Sequence, residues 1–191
     1  MRVMAQHEPL PRDPIAEARR NWEREGWTEA AGPMAAVTSI MRAQQLLLAQ
    51  ADRILKPFHL TFSRYEVLAL LSFAREHRML MKKASALLQV HPTSITNAVD
   101  RLEAAGLVRR EPVSTDRRAV NVVLTDQGLE TVEGATRALN EELFLTTGFE
   151  EHEVQALVGA LSGFRARCGD FAPPAGRPDT AHEDPPRKSA R

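Results

Sequence analysis

The chain has 191 residues, 43% of them hydrophobic, which is enough for one folded domain with a real core and excludes a disordered chain. Lys and Arg number 25 and Asp and Glu 25, so the formal charge is zero and the protein is no general polycationic coat for nucleic acid. A single cysteine, Cys168, excludes a disulfide framework within one chain and points to a reducing, cytoplasmic setting.

Residues 1–13 are polar and proline-bearing, lack the apolar core of a secretory leader, and are expected to be disordered. Asp13 followed by Pro14 reads as a helix start, an acid cap before proline at the first helical position. The helix over IAEARRNWEREGW would end near Gly26, with Ile15, Ala18 and Trp22 on one side. Gly32-Pro33 predicts a break, and a long helix is expected from Met34 to Lys56. Its stripe comprises Val37, Ile40, Met41, Gln44, Leu47, Leu48, Ala51 and Leu55, and Pro57 ends it. No apolar run is long enough to span a bilayer.

A further helix, capped by Thr61 or Ser63, is expected to run to about His77. MLMKKASALLQV reads as a short pairing segment and then a two-turn helix with Ala84, Leu87 and Leu88 inward. Val90-His91-Pro92 is a turn. The next helix runs to Ala105 and stops at Gly106, which suits a left-handed C-terminal cap. Residues 107–111 and 120–124 read as strands, with a charged STDRR tip between them. Thr125 caps a helix to about Thr147, and Gly148 breaks it. The last helix, Glu150 to Cys168, carries Val154, Leu157, Val158, Leu161, Phe164 and Cys168 on one face. From Ala172 onward, Pro, Gly and charge predict a disordered tail over 172–191. The fold class is therefore mainly α with a small β wing: a winged helix-turn-helix flanked by long N- and C-terminal helices.

The helix after Pro92 is amphipathic. Ile95, Ala98, Val99 and Leu102 cluster on one side; Thr93, Asn97, Asp100, Arg101 and Ala104 face the other, with Ser94 and Thr96 on the flanks. Short hydroxyl and amide groups in the first two turns suit entry into a major groove. Asn97 can pair with adenine, Arg101 can reach guanine or phosphate, and Thr93, Ser94 and Thr96 can bond phosphate or base edges. In the wing, Asp116 can brace one of Arg117 and Arg118 while the other reaches outward. Arg109 and Arg110 at its base could reach phosphate, but strand alternation lets only one of them do so. From Lys82 to Arg118 there are seven basic residues (82, 83, 101, 109, 110, 117, 118) and four acidic ones (100, 103, 111, 116), a local charge of +3 within a neutral chain.

The pattern PTSITNAVDRLEAAGLVRR, the DRR at 116–118 and VNVVLTDQG following it resemble the MarR family of bacterial winged-helix regulators, and the likeness extends over about residues 13–170. The resemblance implies a homodimer of triangular outline, with residues 14–57 and 126–170 as dimer base and 60–125 as DNA-binding part of a domain spanning 14–171. It implies double-stranded, pseudo-palindromic operator DNA as partner. Base contacts carry over to Thr93, Ser94, Thr96, Asn97 and Arg101, and wing contacts to Arg117 or Arg118 with Asp116 as brace. It further implies a small-molecule effector, bound between base and reader, that changes the spacing of the two reading helices.

The N-terminal helix is similar to the extra helix of the family's urate-responsive branch. Trp22 matches that branch's tryptophan and Glu66 its carboxylate. Asn97 stands where the branch has an arginine, which argues against urate and leaves an anionic or aromatic effector. Arg42, His59, Arg64 and Tyr65 are further ligand candidates from their chemistry. Trp22 can equally be an anchor for the extra helix, and His59 a plain loop histidine.

The six histidines (His7, His59, His77, His91, His152, His182) show no metal-ligand spacing with one another or with Cys168. No catalytic constellation, cofactor motif or metal site is found, so no enzyme activity is expected. Cys168 reads as a buried cysteine on the dimer face. The resulting expectation is a homodimeric, ligand-responsive transcription regulator, a repressor by family resemblance. The alternatives are a redox- or metal-responsive regulator on the same fold, or a winged-helix interaction module that does not bind DNA.

Overall fold

The computed structural model describes residues 10–113 and 116–172; the side chains of residues 116–118 lie outside that description, as do the expected disordered residues 1–9 and 173–191. The elements in order are α1 Pro14–Arg24, α2 Thr28–Leu55, α3 Phe62–Ser72, β1 Arg78–Leu80, α4 Met81–Leu88, α5 Pro92–Ala104, β2 Val108–Val113, β3 Asp116–Leu124, α6 Asp126–Glu142 and α7 Glu151–Arg167. The three strands form one antiparallel sheet in the order β1-β3-β2. This is the winged helix-turn-helix architecture, mostly helical with a small sheet.

Several local expectations meet their physical causes. Asp13 caps α1 by accepting from the Ile15 amide at 2.9 Å, with Pro14 at the first helical position. Gly106, at φ +72°, closes α5: its amide bonds to the Glu103 carbonyl and the Leu107 amide to the Leu102 carbonyl, at 2.9 Å each. Thr125 caps α6 by accepting from the Gly128 amide at 3.0 Å. Gly128 sits against the wing base so tightly that a Cβ would lie 2.0 Å from the Leu107 carbonyl oxygen.

Other expectations are corrected. Gly32-Pro33 does not break the chain: α2 runs through it from Thr28 to Leu55. Pro33 lies one and a half turns from the helix start on an exposed face, so the single hydrogen bond it removes leaves the Glu29 carbonyl to water. The helix α3 stops at Ser72 rather than His77, because Ala74 is extended (φ −76°, ψ 148°) and Glu76 and His77 beyond it adopt positive φ (57° and 52°). Of its two expected caps, Thr61 stands at the cap position but makes no side-chain cap bond and Ser63 lies inside the helix; Asp52 of α2 accepts from the Phe62 amide instead, at 2.7 Å. Leu87 points outward, since the inward stripe of α4 is the buried Ala84 and Ser85 with the partly buried Leu88. The strand pairing extends further than expected. A register shift between Pro112 and Val113 carries the hairpin on to pair Val113 with Asp116, so the backbone of residues 116–118 belongs to β3. At the other end of the fold, α6 ends at Glu142, and a 3-10 turn over Phe144–Thr146 follows.

The core lies where the C-terminal turns of α2 meet α3, α5, α6 and the sheet. Leu55, Leu68, Leu71, Ile95, Val99, Leu102, Val122, Val132 and Leu139 are all fully buried there. Each such side chain typically contributes about 1.5–3 kcal/mol by leaving water. The middle of α2 is different: Val37, Ile40, Met41, Leu47 and Leu48 all remain exposed.

Among the described residues, those from Gly148 to Ala172 belong to a separate compact unit. Within it α7 starts with a reciprocal capping box, Glu150 with Glu153, and buries no residue. Val154, Leu157, Val158 and Phe164 are exposed along it. Cys168, expected to be buried, is an exposed free thiol in the single chain, at the C-cap of α7.

Candidate nucleic-acid interface

The helix α5 is built to hold one face fixed and offer the other. Pro92 occupies its first position, and His91 caps it, its Nδ1 accepting from the Thr93 amide at 3.2 Å. Ile95, Val99 and Leu102 lock the inner face into the core. Thr93, Ser94, Thr96, Asn97 and Arg101 all lie on the exposed side, as the helical wheel predicts. The Thr96 hydroxyl donates to the Pro92 carbonyl at 2.8 Å, so it is left to act outward as an acceptor. The Asn97 amide and the Arg101 guanidinium make no hydrogen bond or ion pair among the described residues. Both can therefore be presented to a ligand without breaking an internal contact.

The two arginines at the wing base divide as strand alternation requires. Arg110 is three-quarters buried and ties the wing to α5: it pairs with Asp100 at 2.6 Å and with Glu103 at 2.5 Å, while its backbone amide donates to Glu103 at 2.9 Å. Burial opposes its charge, but the hydrogen bonds it donates to Asp100 and Glu103 outweigh that and raise the guanidinium pKa above its already high ordinary value. Arg109 is the exposed one of the two, held by Glu111 at 2.8 Å. Glu111 also lies 3.8 Å from Arg78 of β1. For Asp116, Arg117 and Arg118, the backbone positions on β3 are described; the expected brace and contacts involve side chains outside the described residues.

The expected ligand residues are spread over α1, α2, α3 and the connection between the last two. Trp22 is half-buried and stacks edge-on against Trp27, with ring centroids 5.2 Å apart. Arg42 is exposed on α2 and donates to Gln45 at 3.2 Å. His59 is exposed, in the left-handed region at φ 56°. Arg64 donates to the Thr61 hydroxyl at 3.2 Å. Tyr65 is buried, its hydroxyl 3.1 Å from that of Thr136, so it joins α3 to α6. Glu66 is half-buried, and desolvation pushes its carboxyl pKa up. Two open grooves of about 740 and 510 Å3 are lined by none of these six residues.

Sequence reasoning missed three contacts: the double attachment of Arg110, the capping of α3 by Asp52, and the capping of α5 by His91. The first had a signal, two carboxylates one helical turn apart with an arginine just past the turn. Asp52 had none, because it acts on an amide ten residues away in another helix. Among the described residues no group of three or more His, Cys, Asp or Glu is placed to hold a metal ion. No helix among them is long and apolar enough to cross a membrane.

A reading helix with a clamped inner face, a preceding short helix and a two-stranded wing define a winged helix-turn-helix module. Residues 60–119 match the model of the MarR family. The HTH-type transcriptional regulator TtmR of Methylorubrum extorquens is 32% identical over 145 residues, 74% of this chain and 69% of its own. The structure of Sco5413, a MarR family transcriptional regulator from Streptomyces coelicolor, is 44% identical and superposes with a TM-score of 0.67, covering 73% of this chain and 97% of that one. Sco3205 from the same organism, solved in complex with DNA, is 25% identical with a TM-score of 0.62, covering 72% of this chain and 90% of its own. The chain belongs to the MarR family of helix-turn-helix transcription regulators.

Proposed function

We propose that the protein is a cytoplasmic, homodimeric repressor that binds a pseudo-palindromic operator in double-stranded DNA and is released from it by a small anionic or aromatic effector. The observation that carries this reading is the outer face of α5, where Asn97 and Arg101 stand exposed and unengaged above a fully buried inner face. Thr93, Ser94 and Thr96 flank them, Arg109 supplies a phosphate contact from the wing base, and Arg117 or Arg118 reaches further along the duplex. The DNA complex of Sco3205 supports a DNA partner for this chain.

Residues 60–125 are the reading part. Residues 14–57 and 126–170 supply the faces that pair, and the open stripe of α2 supports that assignment. Two-fold pairing would set the two reading helices about one DNA turn apart, and an effector acts by favouring a spacing that no longer fits consecutive major grooves. The effector site is assigned to Trp22, Arg42, His59, Arg64, Tyr65 and Glu66. The function is regulatory, without a catalytic step, metal or cofactor.

The test is a mobility-shift titration against DNA selected by the wild-type protein from random sequence. Asn97→Ala and Arg101→Ala are each expected to weaken binding by about tenfold or more, with the melting temperature unchanged, since a good bidentate pair is worth about 1–3 kcal/mol. Unaltered affinity in both variants overturns the reading.

A further inference from the structure

The turn between α3 and β1 and the outer side of α4 border an open groove of about 510 Å3 that the proposed DNA contacts do not use. Its walls hold Phe73, Leu80 and Leu87, which are 85%, 42% and 54% exposed. A lone exposed apolar side chain is ordinary on a protein surface; three gathered about one depression are not. None of them belongs to the buried core or packs against it. Phe73 is the C-cap residue of α3, Leu80 sits at the junction of β1 and α4, and Leu87 lies off the buried stripe of α4. The β1 strand beside the groove pairs with β3 on one side only.

The rim is cationic. Arg75, Arg78 and Lys83 line it, and no carboxylate does. Arg78 is already paired, with Glu76 at 2.9 Å and Glu111 at 3.8 Å, whereas Arg75 and Lys83 make no ion pair among the described residues. The apolar groups stand out from the surface rather than enclosing a chamber, so a small molecule would stay largely uncovered here, unlike one in a true pocket. An extended partner that lays apolar side chains across the groove and carboxylates along the rim would satisfy both features.

We infer that this groove docks an acidic segment of another protein, one in which carboxylates alternate with large apolar side chains, through Phe73, Leu80 and Leu87 with Arg75 and Lys83 as charge partners. The surface gives the regulator a contact with a second protein that is independent of its reading helix.

The experiment uses fluorescence anisotropy with the full chain and a short labelled peptide in which Asp and Glu alternate with Leu and Phe. A matched peptide has Ser in place of Leu and Phe. The expected result is saturable binding of the apolar peptide, weakened about tenfold or more in Phe73→Ser/Leu87→Ser and in Arg75→Glu/Lys83→Glu, and unchanged in Asn97→Ala. Both double substitutions are at exposed positions and should leave the melting temperature in place. Equal binding of the Ser peptide, or unchanged affinity in the two double variants, overturns the proposal. Displacement of the peptide by random-sequence duplex DNA would assign the groove to nucleic acid instead. Self-association of the wild type that Phe73→Ser abolishes would assign it to a second copy.

Discussion

Arg110 joins two carboxylates one turn apart on α5 to the first strand of the wing, so one guanidinium fixes the angle between the two parts proposed to touch DNA. Replacing it by Met keeps much of the stem but leaves Asp100 and Glu103 facing each other without a cation. We expect Arg110→Met to cost about 1–3 kcal/mol of stability, the range for losing charged hydrogen bonds at a partly buried site. Its operator affinity should fall further than that of Arg109→Met, whose side chain is exposed and held only by Glu111. Thermal unfolding and mobility shift on the same two variants measure both effects. Glu66 is a second residue with a definite sign. Burial raises its folded pKa above the ordinary 4.5, so folding disfavours the ionised form. That penalty is absent below the ordinary value, grows as pH rises through the window up to the folded pKa, and is complete above it. Glu66→Gln should therefore melt higher than wild type at about pH 7 and at the same temperature at about pH 3. An unchanged difference across that range would mean that desolvation is not the cause.

At the scale of elements, what the sequence made legible was whatever depends on near neighbours along the chain. Gly106 as a left-handed cap, Thr125 as an N-cap and the Ile95, Val99, Leu102 stripe all follow from spacing of a few residues, and the structure has each of them. The errors arose where tertiary context overrode local preference. Proline at 33 signals a break, yet α2 tolerates it because the bond it removes belongs to an exposed carbonyl in the first turns. Pro33→Ala should raise stability, by less than the roughly 3 kcal/mol that separates proline from alanine in a helix interior. In the same way the start of α3 is satisfied from α2, by Asp52 on the Phe62 amide. Asp52→Ala should cost about 1 kcal/mol, the usual loss for an N-terminal cap, whereas Thr61→Val, which deletes the residue that local reasoning favours, should cost less. Urea melts of the two variants decide between local and long-range capping. At the proposed site, the exposed face of α5 could be read from the wheel. The engagement of Asp100 by Arg110 could not, because it depends on where the wing folds back. The wing-tip side chains, residues 116–118, stay an expectation from the sequence.

For the whole molecule, the decisive feature is that α2 is a helix of 28 residues that buries Ala31, Ala51, Ile54 and Leu55 but leaves Val37, Ile40, Met41, Leu47 and Leu48 in water. Its C-terminal turns belong to the core, while these five side chains of its middle stay outside that core among the described residues. Full burial of a Val, Ile, Leu or Met side chain is worth about 1.5–3 kcal/mol, so covering this stripe with a second copy is a large driving force, and charging it is a large penalty. We expect Met41→Glu/Leu48→Glu to sediment as a monomer at concentrations where the wild type sediments as a dimer. Because both positions are exposed in the single chain, the helical circular-dichroism signal should survive the change. Operator affinity should then drop by well over tenfold, although every residue of α5 is intact, because one reading helix must now hold a half-site without the other. A wild type that is monomeric at working concentration, or a charged variant that binds operator as tightly as the parent, would break the link between the open stripe of α2 and DNA recognition.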